Sequence, residues 1–271
     1  MKLLFQSDDY GFTDAITDGI LKGIKEGIIR NTGLFVNMPS SKRAAELIKN
    51  IEGISVGIDI NFVAGYPVTK DPIMLTTLIR EDGHFISSVE QMKKLSKPID
   101  QKNILQMFDE DPYDYEEVLN ETEAQVLKFI ELMGRKPAYI HPHSLVTKNT
   151  ANALMKIAEK YDIVFSGKAM RNDKIHMVPC DWTPKPFSIE KQFETNVEDN
   201  LYNALTNCLN HEYAYFICHC GYVDSDLLSE STYTIIRCKD LAAATSDKIK
   251  NFIRDNEIEL INYNKIKEIL G

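Results

Sequence analysis

The residue types best able to do chemistry come at the ends of separate strand-like runs. These residues are Asp8 and Asp9, Asp59, His141 and His143, and His219. Carboxylates and imidazoles without suitably spaced cysteines form sites for divalent cations that accept oxygen and nitrogen ligands. A cation held by few protein ligands lowers the pKa of bound water, and a nearby carboxylate and histidine can then act as general base and general acid. This combination is suited to hydrolysis of an amide or an ester.

Taken singly, each signal has a plain structural explanation. A pair of aspartates after a strand often caps a helix or forms a turn. A histidine at a strand end is more often a hydrogen-bonded structural residue than a ligand. Four such signals at the ends of four predicted strands favour a functional site instead.

Strand-like and helical patterns alternate along the chain. The predicted strands are 2–7, 32–37, 54–61, 137–141, 163–166, 213–218 and 258–261. The predicted helices are 16–24, a segment from Ser40 or Ser41 to Lys49, 115–133, 149–161, 201–209, 240–254 and 264–270. Alternating strands and helices predict a parallel sheet covered by helices. The carboxyl ends of its strands would bring all of these polar side chains to one mouth.

The number of units favours an α/β fold of distorted (β/α)-barrel type, with an open doubly wound sheet as the alternative. We predict a single catalytic domain over residues 1–271, since no linker or low-complexity tract interrupts the pattern. Residues 62–112 lack clear periodicity and contain several glycines and prolines. We expect this excursion to be a lid or a binding loop.

Composition excludes several classes of protein. The formal net charge of −9 argues against a nucleic-acid partner, because phosphate backbones require clustered Lys and Arg. No apolar run approaches the roughly 20 residues that a membrane span needs. The acidic pair follows the first apolar run too soon for a signal peptide.

The five cysteines also bear on where the protein works. They are odd in number and lack CxxC spacing, so we expect no zinc site of cysteine type and a reducing, cytoplasmic setting. Cys218 and Cys220 would share one face of a strand at the edge of disulfide geometry. We predict that no disulfide forms.

The order of several motifs resembles the YdjC-like carbohydrate deacetylases along essentially the whole chain. Phe5-Gln6-Ser7-Asp8-Asp9-Tyr10-Gly11 resembles the family's N-A-D-D-F-G signature, and Gly57-Ile58-Asp59-Ile60-Asn61 its G-L-H-L-N. Similar matches are Gly65-Tyr66-Pro67 to G-x-P, Glu81-Asp82-Gly83-His84-Phe85 to D-x-D-G-x-F, Ile140-His141-Pro142-His143 to I-D-S-H, and Cys218-His219-Cys220-Gly221-Tyr222-Val223-Asp224 to C-H-P-G-Y-V-D. Ser231, Tyr233 and Arg237 fall where the family has a similar serine, tyrosine and arginine.

The resemblance implies a metal-dependent hydrolase that removes the N-acetyl group from small sugars such as chitooligosaccharides. Asp8 and Asp9 fall on the family's acidic pair, and we assign Asp8 as base and Asp9 as metal ligand, although the sequence does not separate the two. Asp59 and His143 fall on the family's two metal-binding histidines. His219 stands where a catalytic histidine near the leaving amine is expected.

Departures from the family pattern bear on the metal. Asp59 replaces a histidine ligand, His141-Pro142 replaces Asp-Ser, Cys220 replaces a proline, and Leu145 and Thr147 replace two later histidines. Of Mg, Mn and Zn, an added carboxylate favours Mg or Mn. His141 either compensates for a lost histidine or is a hydrogen-bonded core residue.

Tyr66, Tyr222 and Arg237 are the predicted substrate-binding residues, and Trp182 is a further candidate for stacking on a sugar ring. For each aromatic residue, core packing is the alternative. Two other functions stay open. One is a non-catalytic sugar-binding or regulatory protein with an altered metal site, and the other is a metal-dependent phosphoesterase on the same fold. A homodimer is also left open.

Overall fold

The computed structural model describes residues 1–70, 75–94, 108, 110–180 and 188–270. Eight strands lie in this part of the chain: β1 (Lys2–Tyr10), β2 (Asn31–Leu34), β3 (Ser55–Ile60), β4 (Tyr139–Pro142), β5 (Val164–Phe165), β6 (Ile175–Met177), β7 (Tyr213–Cys218) and β8 (Glu259–Ile261). The helices there are α1 (Asp14–Glu26), α2 (Ser41–Ile48), α3 (Ser88–Met92), α4 (Tyr115–Met133), α5 (Lys148–Tyr161), α6 (Ser166–Met170), α7 (Ile189–Glu194), α8 (Val197–Asn207), α9 (Ser225–Glu230), α10 (Ile235–Thr245), α11 (Asp247–Asp255) and α12 (Tyr263–Leu270).

All strand pairs between these elements are parallel. The sheet order is β5-β4-β3-β2-β1-β7-β6, and β8 joins β1 beside β2. Among the described strands no pairing joins β5 to β6, so the sheet is a curled half-barrel with an opening between its two edges. The predicted α/β fold of distorted-barrel type is therefore confirmed.

Side chains alternate between the two faces of the sheet and so build two cores. Leu3 and Phe5 belong to the larger core, under the outer helices, whereas Leu4 belongs to a smaller one. The smaller core also contains Tyr139, Tyr215 and Tyr263, together with residues of α6 and α12. The smaller core is thus built mainly from tyrosines and from residues of two short helices.

Helix boundaries follow local capping chemistry. Thr13, Asp114 and Thr147 accept hydrogen bonds from backbone amides in the first turns of α1, α4 and α5. The segment predicted as one helix over 240–254 is two helices, because Ser246 ends α10 and its side chain caps α11. Both the short strand β6 and the helix α9 were missed by the sequence patterns.

The predicted lid at 62–112 lies only partly within the described residues. Its described part contains an isolated bridge between Ile79 and Phe85, followed by α3. Among the described residues, no helix is long and apolar enough to cross a membrane.

Candidate active site

A β-bulge in β1 shapes the centre of the site. The strand does not end before the acidic pair, as the sequence pattern predicts, but continues to Tyr10. Ser7 pairs with Thr32 and Tyr10 with Leu34, so Asp8 and Asp9 together lie opposite the single residue between them on β2. Asp9 has a φ of 74°, which is unusual for a residue with a side chain. The bulge allows adjacent carboxylates to serve one site, whereas a regular strand would point them to opposite faces.

Asp9 is completely enclosed and contacts two basic side chains, Arg237 and His143. Its Oδ2 lies 2.7 Å from Nη2 of Arg237 in α10, and its Oδ1 lies 2.9 Å from Nδ1 of His143 after β4. Burial would raise the pKa of Asp9, but His143 and Arg237 outweigh it and hold that pKa well below its ordinary value. Asp9 is therefore an anion in the resting site.

Asp8 is held by two other side chains. Gln6 donates from Nε2 to Oδ1 at 2.5 Å, and Nε2 of His141 lies 3.2 Å from Oδ2. Burial would raise the pKa of Asp8, but the charge and hydrogen bond of His141 overcome it and lower the pKa. Asp8 thus stays ionised, as a general base must be.

Asp59 lies against the bulge from β3. Its Oδ2 accepts a 2.8 Å hydrogen bond from the backbone N–H of Asp9. Its Oδ1 faces Gly33, where a Cβ atom would come within 1.7 Å, and has no hydrogen-bond partner. Burial and the charge of Asp8 raise the pKa of Asp59 well above its ordinary value. Asp59 is the least favourably placed charge of the cluster.

Two histidines border the carboxylates on the more open side. The ring of His143 is 16% exposed and packs edge-on against Phe35 at 4.8 Å between centroids. His219 is partly exposed, its backbone N–H donates to Asp240, and its ring lies 5.2 Å from that of Tyr233. Burial lowers the pKa of His219 and the negative charges of Asp9 and Asp8 only partly oppose it. The lowered pKa makes the imidazolium form of His219 a stronger acid, and it also reduces the fraction of His219 that is protonated at neutral pH.

The donor types at the bulge fit a divalent cation. Asp9, Asp59 and His143 supply two carboxylates and an imidazole; Asp59 accepts from the backbone N–H of Asp9, and His143 contacts the Asp9 carboxylate. Oδ1 of Asp59 is a buried oxygen that still lacks a partner, as a ligand atom would. Within the described ranges no three such side chains are already arranged as a cage for a metal ion. The fit therefore rests on the chemistry of the donors.

The predicted substrate-binding residues differ in exposure. Tyr66 and Tyr222 are exposed, with 54% and 41% of their surface accessible. Arg237 is buried. Its Nη2 contacts Asp9, whereas its Nη1 has no hydrogen-bond partner. Contact of these three with a substrate stays a prediction. Trp182 lies outside the described residues.

The sequence patterns singled out His141 but not the residues that hold it and Asp8, which are Ser166, Gln6, Tyr215 and Tyr263. Nδ1 of His141 lies 2.7 Å from the hydroxyl of Ser166, the first residue of α6, so His141 connects that helix to Asp8. Oε1 of Gln6 accepts hydrogen bonds from the hydroxyls of Tyr215 and Tyr263. The motif that contains Gln6 and the strand that contains Tyr215 were visible in the sequence, but no local signal showed that they meet.

Comparison with known proteins places the chain in a family. A model described as YdjC-like protein matches residues 2–255. The chain belongs to the YdjC-like family. The resemblance seen in the acidic pair and the later motifs is therefore confirmed.

Relatives extend over nearly the whole chain. A protein of Listeria innocua named carbohydrate deacetylase 2 is 30% identical over 98% of this chain and 99% of its own length. A protein of Clostridium beijerinckii named carbohydrate deacetylase is 29% identical over 98% of this chain and 100% of its own.

Two solved structures share the fold. A protein of Enterococcus faecalis V583, described in terms of cellobiose-phosphate cleavage, matches with a TM-score of 0.74 at 22% identity, over 98% of both chains. A family 4 acetyl xylan esterase of Clostridium thermocellum, solved with a cobalt ion, matches with a TM-score of 0.51 at 10% identity, over 99% of this chain and 91% of its own. At these identities the likeness concerns the fold.

Proposed function

We propose that this chain is a carbohydrate deacetylase that removes the N-acetyl group from a small N-acetylated sugar such as a chitooligosaccharide. The observation that supports it best is the cluster at the bulge, where Asp8, Asp9, Asp59 and His143 meet at the carboxyl edge of the sheet. Relatives named carbohydrate deacetylase, which cover 98% of the chain, support the same activity.

Asp8 and His219 would divide the proton transfers. Asp8, kept ionised by His141, accepts a proton from the attacking water. The water oxygen bonds to the acetyl carbon, the C–N bond breaks, and His219 donates a proton to the leaving amine. Nη1 of Arg237, buried and without a partner, is available to an oxygen of the substrate.

Asp9, Asp59 and His143 would hold one divalent cation. When bound, such a cation supplies Lewis acidity towards water and the amide carbonyl. Two carboxylates and one imidazole favour Mg or Mn over Zn. Removal of the cation would also leave three carboxylates close together in a buried setting, which is unfavourable for stability.

A non-catalytic sugar-binding protein is the second candidate, and the position of Asp59 favours it. One oxygen of Asp59 is engaged by the Asp9 amide and the other faces Gly33. If Asp59 never turns to a metal, the site binds a sugar without hydrolysing it. For the phosphoesterase alternative, the charge of Arg237 is offset by its contact with Asp9, which would weaken its attraction for a phosphate.

The deciding measurement is acetate release from N,N′-diacetylchitobiose in the presence of Mg, Mn or Zn, with metal binding followed by calorimetry. We expect turnover in the parent, loss of both metal and turnover in His143→Ala, and retained metal with about 10²–10⁴-fold lower turnover in His219→Ala. His211→Ala is the matched control, since His211 is exposed and its ring stacks on His176 away from the bulge.

Binding of the sugar without acetate release under any metal would support the second candidate. Equal metal stoichiometry in His143→Ala and the parent would reject His143 as a ligand. If metal and activity fell together in His219→Ala, His219 would be a ligand.

We also propose that residues 1–271 act as one catalytic domain in a reducing, cytoplasmic setting. The pairing of β1 with β8 joins the two ends of the described chain in a single sheet, which supports one domain. Sedimentation of the purified protein tests whether it is a homodimer.

A further inference from the structure

A polar stripe on α4 holds the loops above the site. Glu117, Glu121 and Gln125 follow one another at intervals of four residues and so share one side of the helix. Glu121 and Gln125 are fully buried, and Nε2 of Gln125 donates to Glu121. This stripe faces loops of the excursion rather than solvent.

Each member of the stripe fixes a different segment. Glu117 accepts four hydrogen bonds from the backbone amides and hydroxyls of Thr76 and Thr77, at 2.7–2.9 Å. Glu121 accepts from the amides of Val68 and Thr69 and from the Thr69 hydroxyl. Gln125 exchanges two hydrogen bonds with the backbone of Asn61. Two points of the excursion and the residue just before it are thus tied to one helix.

Residues 64–66 of the excursion are also hydrogen-bonded to the segment that follows β2. Nδ2 of Asn37, just beyond β2, donates to the carbonyls of Ala64 and Tyr66 at 3.0 Å. Phe35, two residues before Asn37, packs on the ring of His143. The backbone of Tyr66 is therefore held by the segment after β2, the same segment that contacts His143 through Phe35.

The exposed ring of Tyr66 packs against His84. The two ring centroids lie 3.9 Å apart with the planes tilted by 47°, and a Cβ atom at Gly83 would also come within 3.9 Å of the Tyr66 ring. The bridge between Ile79 and Phe85, and the hydrogen bond from Phe85 to the carbonyl of Gly65, keep the His84 turn in place. More than half of Tyr66 stays exposed although its backbone is so firmly bound. An exposed aromatic ring whose backbone is held in place suits stacking on the apolar face of a pyranose.

We propose that Tyr66 and His84 form an outer sugar subsite, which takes a pyranose ring next to the one whose acetamide reacts, and that Glu121 is a positioning residue for it. The proposal rests on the deacetylase function proposed above. The subsite would contribute to binding of an oligosaccharide and leave the reacting groups untouched.

The test compares acetate release from N-acetylglucosamine with that from N,N′-diacetylchitobiose. Tyr66→Ala should raise KM for the disaccharide about 3- to 10-fold, the usual value of one aromatic stacking contact, and leave kcat unchanged. The monosaccharide constants should not change, and Tyr66→Phe should behave as the parent. Equal effects on both sugars, or an effect confined to kcat, would overturn the subsite.

Glu121 is tested by a pair of variants. Glu121→Ala should raise KM for the disaccharide. Glu121→Gln should raise it less, because the side-chain oxygen of glutamine still accepts from the backbone N–H of Thr69. Glu116→Ala is the control, since Glu116 is exposed on the same helix. A disaccharide KM equal to that of the parent in Glu121→Ala would overturn the positioning role.

Failure of the proposed function is recognised separately. If the parent releases no acetate from either sugar, calorimetric binding of N,N′-diacetylchitobiose replaces turnover. Weaker binding by Tyr66→Ala than by Tyr66→Phe then supports the subsite without the reaction, and equal binding overturns it.

Discussion

Asp59 is a buried carboxylate that could act as a metal ligand or as a support for the bulge, and the two roles need different properties of its oxygen atoms. As a metal ligand it must offer a charged oxygen, whereas as a support for the bulge it needs only to accept from the Asp9 amide. An asparagine can keep that hydrogen bond but is a weaker ligand for a hard cation. Substitution at this single position therefore separates the two duties.

We expect Asp59→Ala to lower metal affinity by more than the roughly 10–100-fold that loss of an outer-shell partner costs. Asp59→Asn should also weaken the metal, and Asp59→His should shift preference from Mn or Mg towards Zn. The measurements are metal affinity by calorimetry and acetate release across the metal series. Unchanged affinity and preference in all three variants would place Asp59 outside the coordination shell.

His141 is a second buried residue whose charge depends on its neighbours. Burial would lower its pKa, but Asp8, by charge and hydrogen bond, and then Asp59 raise it to about 9. Because the pKa of His141 is higher in the folded state, its protonation stabilises the fold. This stabilisation is complete below pH 6.5, the ordinary pKa of histidine, and is lost as the pH rises through about 9.

In the presence of a chelator we therefore expect the free energy of unfolding to fall by roughly 2 kcal/mol between pH 7 and pH 9. Urea denaturation at several pH values measures it. His141→Gln, which cannot titrate, should flatten the dependence over this window. A slope of the same size in His141→Gln would show that other groups cause it.

At the scale of elements, the bulge in β1 depends on the residue across from it. Gly33 of β2 lies opposite Asp8 and Asp9, and the carboxylate of Asp59 occupies the place of the missing side chain. Gly33 therefore leaves room for Asp59 within this sheet, because no larger residue fits unless that carboxylate moves.

Gly33→Ala should destabilise the protein by about 1–3 kcal/mol, the usual cost of an overpacked core, and reduce metal affinity as Asp59 is displaced. Thermal unfolding and calorimetry measure the two effects. Gly53→Ala is a useful comparison, because Gly53 has a φ of 78° but nothing within 4 Å of the added atom. Equal metal affinity in Gly33→Ala and the parent would show that Asp59 and the metal are independent.

The end of β7 brings two thiols together. Sγ of Cys218 lies 3.6 Å from Sγ of Cys220, and both side chains are buried. Burial raises the pKa of Cys218 well above its ordinary value, so the reactive thiolate is scarce.

We expect all five thiols to titrate in the denatured, non-reduced protein. The measurement is thiol titration directly after denaturation. A parallel sample that is alkylated at the moment of denaturation controls for later oxidation. A count of three thiols would reveal one disulfide, and Cys218 with Cys220 would be the first pair to test.

The strand and helix patterns predicted most of the elements, because amphipathic spacing is a local property. The acidic pair, the Asp59 motif and His143 could also be placed at one edge, since parallel strands end on the same side. The bulge was not predictable, because it depends on register between β1 and β2. The same holds for the contacts of Arg237 with Asp9 and of His141 with Ser166, which join residues far apart in the chain.

The whole molecule depends on a strand that has distant partners on both sides. Lys2 pairs with Tyr213 of β7 and with Glu259 of β8, while the later part of β1 pairs with β2. During synthesis on the ribosome, the first half of β1 therefore has no strand to pair with until more than 200 further residues have been made. Long-range pairing of this kind slows folding and leaves strand edges open to wrong partners. The first half of β1 would thus be among the last segments to reach its native pairing, whereas the part that carries the acidic pair borders β2, which is made early. The edge of this half-strand stays exposed to wrong partners until β7 and β8 have been made.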